Sequence, residues 1–163
     1  MPDHFSMYRQ MTVYEYLDFF AAAYGLPVET RTKVLDDVLE LTDMGGKRTD
    51  LINGLSRGMQ QRVGIARAIA LRPRMLLLDE PSSGLNVEET DDMAFWIEDI
   101  QKQMGITVLM VEHDMGLVSA VSDRVLALAD GKELATGKPA EVQSHPAVIE
   151  AYLGTSGIAK GGT

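Results

Sequence analysis

Two adjacent carboxylates, Asp79 and Glu80, close the short apolar run Met75 to Leu78. A run of that length reads as a strand buried on both faces of a sheet. The C-terminal ends of strands in an open parallel sheet are where ligand chemistry gathers. An aspartate placed there can hold Mg²⁺ through oxygen, and the neighbouring glutamate can position or deprotonate a water. The same pair would also serve as a solvated acidic strand end, and the residue types alone leave both readings open. Upstream, Ser56-Arg57-Gly58 opens an amphipathic helix. Its first N–H groups and partial positive charge suit an anion, although Ser56 could equally be a plain N-cap. Downstream, His113 follows a second apolar run, Ile106 to Val111, as either a structural or solvated side chain or a member of the same site.

The elements that must position these residues can be read from periodicity. Thr12 caps a predicted helix to about Tyr24, with Glu15 at the third helical position as in a capping box. Val13, Tyr16, Leu17 and Phe20 share one face of it, and Gly25 with Pro27 ends it. A second helix is predicted from about Glu29 to Asp43, with Val34, Leu35, Val38, Leu39 and Leu41 as its apolar stripe. Thr49 to Leu55 reads as a loop, and the helix after Ser56 runs until Pro73 breaks it. The pattern then alternates. After the Met75 strand comes a helix over about Val87 to Met104, then the Ile106 strand and another short helix. Arg124 to Ala129 and Glu133 to Ala135 follow, joined by Asp130-Gly131, which suits a tight hairpin turn. Pro139 to Gln143 and Pro146 to Leu153 read as closing helices. Strand, helix, strand, helix implies a parallel α/β sheet, with the earlier helices as a separate layer.

Composition bounds the function classes. The chain has 163 residues, 45% of them hydrophobic and 24% charged, enough to bury a core. A net charge of −9 disfavours nucleic acid and anionic membrane surfaces, which need basic patches. No stretch approaches the roughly 20 apolar residues of a membrane span, and no basic-then-apolar leader opens the chain, so a cytoplasmic protein is expected. The absence of cysteine removes disulfides and thiolate metal sites.

From Leu55 to Asn86, LSRGMQQRVGIARAIALRPRMLLLDEPSSGLN closely resembles the signature motif and Walker B strand of ATP-binding-cassette (ABC) ATPases. The resemblance covers nearly the whole chain. It implies the C-terminal portion of a P-loop NTPase of the α/β class, a partial parallel sheet with helices plus an α-helical subdomain. Residues 1–57 would be the helical subdomain ending in the signature, 58–154 the C-terminal part of the RecA-like core, and 155–163 a loose tail. Asp79 then takes the Mg²⁺ role and Glu80 that of the catalytic carboxylate, while His113 in VLMVEHD resembles the switch histidine that contacts the γ-phosphate. Ser56 and Gly58, with Gln60 in the same block, resemble the grip on ATP bound to the other subunit. Ser83 and Gly84 resemble the D-loop that passes signals across the dimer. The implied cofactors are ATP and Mg²⁺. The implied partners are transmembrane permease subunits and a second ATP-binding subunit, with this chain peripheral at the inner face of the cell membrane and no nucleic acid involved.

Departures from the pattern are as informative. The family has Gly where Arg57 stands, Gln where Met59 stands, Asp where Asn86 stands and Gln where Asp3 stands. A carboxylate at position 3 cannot donate as an amide does. A phosphate loop needs G-x-x-x-x-G-K-[ST], and the three Gly-Lys pairs all fail it, at Arg48, Glu133 and Pro139. The chain therefore reads as a cassette truncated before its phosphate loop. The stretch LDFFAAAYGLP through LINGLSRGMQQRVGIARAI resembles the ATPase subunits of multidrug or lipid exporters. EETDDMAFWIEDI, ITVLMVEHDMGLVSAVSDRVLAL and the EAYLG close resemble the ATPase subunit of branched-chain amino acid importers. Three expectations follow: an importer subunit, an exporter subunit, or a non-catalytic binding module that binds no ATP alone.

Overall fold

A computed structural model describes residues 10–157. Asp3 and the part of the expected tail beyond residue 157 lie outside the described residues. The chain divides into two compact units, one ending at His113 and the other beginning at Asp114. The division at residue 57 expected from sequence is not where the compact units part.

The first unit opens with three packed helices, α1 (Val13–Ala23), α2 (Val28–Leu41) and α3 (Arg57–Ile69). Thr12 caps α1 through the expected box: its hydroxyl accepts from the Glu15 N–H, and Glu15 accepts from the Thr12 N–H at 2.8 Å. The Thr12 N–H and, at 2.9 Å, the Thr12 hydroxyl both donate to the Glu15 carboxylate and hold it below its ordinary value. The start of α1 is tied to the segment before α3, where Val13 donates to Asp50 and Ile52 donates to Met11. Val13, Tyr16 and Leu17 of α1, Leu35, Val38 and Leu39 of α2, and Val63, Ala66 and Ile69 of α3 are buried, while Phe20, Val34 and Leu41 of the expected stripes are half-buried. Arginines on α3 fasten the layer. Arg67 donates to the Tyr16 hydroxyl at 2.8 Å and lies over the Phe20 ring. Arg62 pairs with Asp92 at 2.8 Å and Asp43 at 3.4 Å.

Tyr16 carries a pH consequence. Burial pushes its hydroxyl above the ordinary 10.0, and Arg67 pulls the other way without overcoming it. The folded state thus binds the phenolic proton more tightly than the unfolded chain. The stability from this source is full below about pH 10 and is lost as pH rises through the raised folded value. Urea midpoints of a Tyr16→Phe variant, followed by fluorescence of the single Trp96, are expected to show a shallower alkaline decline than those of the parent. Identical alkaline limbs contradict this.

After α3 come β1 (Met75–Asp79), α4 (Val87–Met104) and β2 (Thr107–Val111). β1 and β2 pair in parallel, with Asp79 opposite Val111. Asn86 caps α4 with a second capping box through Glu89, and Gly105 closes the helix in the left-handed conformation (φ 63°), which suits glycine. Met93, Trp96, Ile97 and Ile100 are the buried face of α4.

One expectation is corrected here. Continuous apolar runs predict strands buried on both faces, yet β1 alternates, with Leu76 and Leu78 buried while Met75 and Leu77 are 56% and 63% exposed. Leu109 and Val111 of β2 are likewise exposed. The physical reason is layering. Within this unit the described elements pack against one face of the two-stranded sheet and leave the other uncovered.

The second unit contains α5 (Met115–Val121), the antiparallel hairpin β3 (Val125–Ala129) and β4 (Lys132–Gly137), α6 (Pro139–Gln143) and α7 (Pro146–Gly157). Asp130 and Gly131 both take positive φ (50° and 73°), as the tight hairpin turn expected from sequence requires. Ala127, Val142 and Val148 form a small core. The backbone of α7 continues through Gly157, so residues 155–157 are helical where a loose tail was expected. No proline interrupts the segment, and a single Gly154 costs a helix only about 1 kcal/mol. Among the described residues, no helix is long and apolar enough to cross a membrane.

Candidate functional site

The ends of β1 and β2 bring three of the predicted residues together. Asp79 ends β1, and the Glu80 N–H donates to the Val111 carbonyl at 2.8 Å, extending the ladder by one bond. Glu80 then turns to φ 46°, a left-handed conformation that non-glycine residues rarely adopt and that concentrates at functional sites. The turn lifts the Glu80 carboxylate off the sheet, 56% exposed, with its Oε1 4.0 Å from Nδ1 of His113. The His113 side chain is 69% exposed, so both groups face an accessible surface. Parallel pairing is what makes this possible, because it places the C-terminal ends of both strands side by side.

Glu112 is the residue that the sequence reading missed. Its side chain is 0% exposed, and its two oxygens accept the N–H groups of Ser82 at 2.7 Å and His113 at 2.9 Å. An acidic residue just before His113 was the available signal. The partner, Ser82, lies 30 residues away and could not be read locally.

Ser56 is the N-cap of α3: its exposed hydroxyl accepts from Met59 N–H at 3.2 Å and donates to Glu89 Oε1 at 3.3 Å. Gly58 is buried, and a Cβ there would come within 3.0 Å of Glu89 Oε1 and 3.4 Å of Leu85, so glycine is what lets α3 approach the start of α4. Gln60 turns inward. Its side-chain amide donates to the carbonyls of Ile52 (3.3 Å) and Leu55 (3.2 Å), so it braces the turn before Ser56. Ser83 and Gly84 lie in the turn after Glu80, where Ser83 N–H donates to the Glu80 carbonyl at 3.0 Å. Gly84 has φ 76°, and the Arg57 guanidinium lies so close that a Cβ would meet it at 2.5 Å. Arg57, a departure at sequence level, thus seats the start of α3 against this turn.

The donor set has a definite chemical preference. Asp79 and Glu80 offer only oxygen, which suits a hard cation such as Mg²⁺ sharing its shell with phosphate oxygens. Among the described residues, no three His, Asp or Glu side chains form a cluster able to hold a metal by themselves. The three Gly-Lys pairs are engaged elsewhere. Gly46-Lys47 sits in a short 3-10 turn with Lys47 paired to Asp50 at 3.0 Å, Gly131-Lys132 runs from the hairpin turn into β4, and Gly137-Lys138 joins β4 to α6.

A strand-end Asp-Glu pair beside a histidine, with a capped helix N-terminus upstream, is the candidate site that this parallel α/β unit presents. Comparison with known proteins gives the class its name. The family model for "ABC transporter" matches residues 1–83, and that for "Branched-chain amino acid ATP-binding cassette transporter" matches residues 132–157. The chain belongs to the ABC transporter ATP-binding family. It is 46% identical over 100 residues to the high-affinity branched-chain amino acid transport ATP-binding protein BraF of Pseudomonas aeruginosa, covering 61% of this chain and 39% of BraF. It is 35% identical to the methionine import ATP-binding protein MetN of Geobacillus kaustophilus, over 88% of this chain and 42% of MetN. Among solved structures, cbiO1 of Clostridium perfringens, part of the ABC transporter complex cbiONQ, superposes with a TM-score of 0.80 at 27% identity, over 93% of this chain and 61% of cbiO1. The fold is that of an ABC ATPase domain. The chain spans about two fifths of the length of the curated relatives it matches.

Proposed function

We propose that this chain supplies the Walker B, D-loop, histidine and signature elements of the ATP-binding subunit of a branched-chain amino acid importer. The observation that carries the site assignment is the juxtaposition of Glu80 and His113 at the paired ends of β1 and β2. The family match over residues 132–157 and the likeness to BraF support the substrate class.

In this reading Asp79 would hold Mg²⁺. The ion, when bound, neutralises charge on the β- and γ-phosphates. Glu80 takes a proton from the attacking water or holds that water in line, for which an exposed carboxylate lifted off the strand end is suited. His113, 4.0 Å from Glu80, orients the γ-phosphate. Ser56 and the first N–H groups of α3 offer an anion site to ATP held by a second ATP-binding subunit. Gln60 and Arg57 position that helix entry rather than touch the nucleotide, and Ser83 and Gly84 form the turn that links Glu80 to α4. The helices before the signature, α1 and α2, are the surface offered to the transmembrane permease subunits, at the inner face of the membrane.

Phosphate contacts supply most nucleotide affinity in this fold, and they come from a loop whose motif these residues do not contain. Calorimetric titration of the chain with Mg²⁺-ATP is therefore expected to show no binding at micromolar concentration. Joining an upstream phosphate-loop segment of an ABC ATP-binding protein to the chain is expected to create Mg²⁺-dependent ATP hydrolysis. Micromolar binding by the unextended chain would contradict the first expectation, and an extended chain that binds Mg²⁺-ATP without hydrolysing it would overturn the catalytic reading.

A further inference from the structure

A fully buried carboxylate is costly unless hydrogen bonds hold it. Glu112 is such a group, and two of its hydrogen-bond donors lie on two different segments of the site. One oxygen accepts from Ser82, which opens the turn leading through Gly84 to the cap of α4. The other accepts from His113, and also stands 3.8 Å from that residue's ring nitrogen Nδ1. The Glu80 carboxylate lies 4.0 Å from the same nitrogen, so the imidazole sits within reach of one buried and one exposed carboxylate. Two N–H donors converging on one side chain call for two acceptor oxygens. A carboxylate has them, whereas a glutamine offers one and turns an NH₂ donor towards the second N–H.

We propose that Glu112 is a positioning residue that locks the His113 backbone to the turn beginning at Ser82, so that displacement of the turn displaces the histidine. For its consequence in turnover this rests on the reading of Glu80 and His113 as the hydrolytic site; as a physical clamp it does not. The clamp lies outside the β1–β2 ladder, and it links the segment that would face a second subunit to the residue that would face the γ-phosphate.

The test begins on the unmodified full chain, labelled with ¹⁵N and ¹³C. Couplings across hydrogen bonds are expected from the amide nitrogens of Ser82 and His113 to the side-chain carboxyl carbon of Glu112, and absence of both overturns the proposal. In Glu112→Gln, amide exchange at Ser82 or His113 is expected to speed up by roughly tenfold or more, while the amides of Leu35 and Val63 keep their protection. Unchanged exchange at both clamp positions also overturns it. In the chain extended with a phosphate-loop segment, Glu112→Gln is expected to lower kcat by roughly ten- to a hundredfold with KM for ATP unchanged. A parental kcat would refute the transmission from turn to histidine. The failures are separable: couplings present with Glu80→Gln fully active would sink the catalytic reading alone, and couplings absent with Glu80→Gln inactive would sink the clamp alone.

Discussion

Glu80→Gln in the extended chain is expected to reduce kcat for ATP by about 10²- to 10⁴-fold while leaving Mg²⁺-ATP affinity nearly unchanged. The substitution keeps shape and hydrogen-bonding reach but removes the negative charge that draws a proton from water. Affinity is spared because phosphate and base contacts, not Glu80, hold the nucleotide. Single-turnover hydrolysis measured beside equilibrium binding separates the two quantities. Turnover within twofold of the parent would mean that the carboxylate lifted from the strand end at φ 46° is not the proton acceptor.

Leu35→Ala has the largest expected effect on stability. Leu35 is fully buried in α2, which packs against α1, α3 and α4. Truncating it removes three carbons from water-free contact and leaves a cavity that neighbours on several helices cannot collapse into together. A loss of about 2–5 kcal/mol is expected. Urea unfolding of the full chain, followed by Trp96 fluorescence, reads this directly because Trp96 lies on α4 in the same unit. A loss below about 1 kcal/mol would show that the helical layer is loosely packed around Leu35.

Local signals made much of this molecule legible. The capping box at Thr12 uses residues three apart, and Asp130-Gly131 marks a turn that needs positive φ. Helical stripes recur every three to four residues, so α1 to α4 follow from the sequence. The Asp79-Glu80 pair was visible because it ends an apolar run, and His113 because it ends the next. What stayed hidden depends on neighbours distant in sequence. The apolar run Met75–Leu78 is suited to burial on both faces, and only the arrangement of layers leaves Met75 and Leu77 exposed. Gln60 is expected among the nucleotide contacts from the resemblance alone, and nothing near it in sequence shows that its amide donates to the carbonyls of Ile52 and Leu55. Arg57 looked like a bare departure because its partner surface, Gly84, lies 27 positions on. The role of Glu112 was hidden for the same reason: its place before His113 is visible, but nothing near it in sequence shows that Ser82 folds back onto it.

The central claim is that Glu80 of one copy acts with Ser56 of another. It is tested most directly by mixing two inactive variants of the extended chain. Glu80→Gln keeps the signature face and loses the proton acceptor. Ser56→Asp keeps an N-cap for α3 but puts a negative charge where phosphate would dock. An equal mixture forms heterodimers in which one of two sites joins an intact Glu80 to an intact Ser56. The account predicts recovery to about a quarter of parental ATPase activity, since half the dimers are mixed and each has one working site. Activity that stays at the level of the separate variants would contradict it.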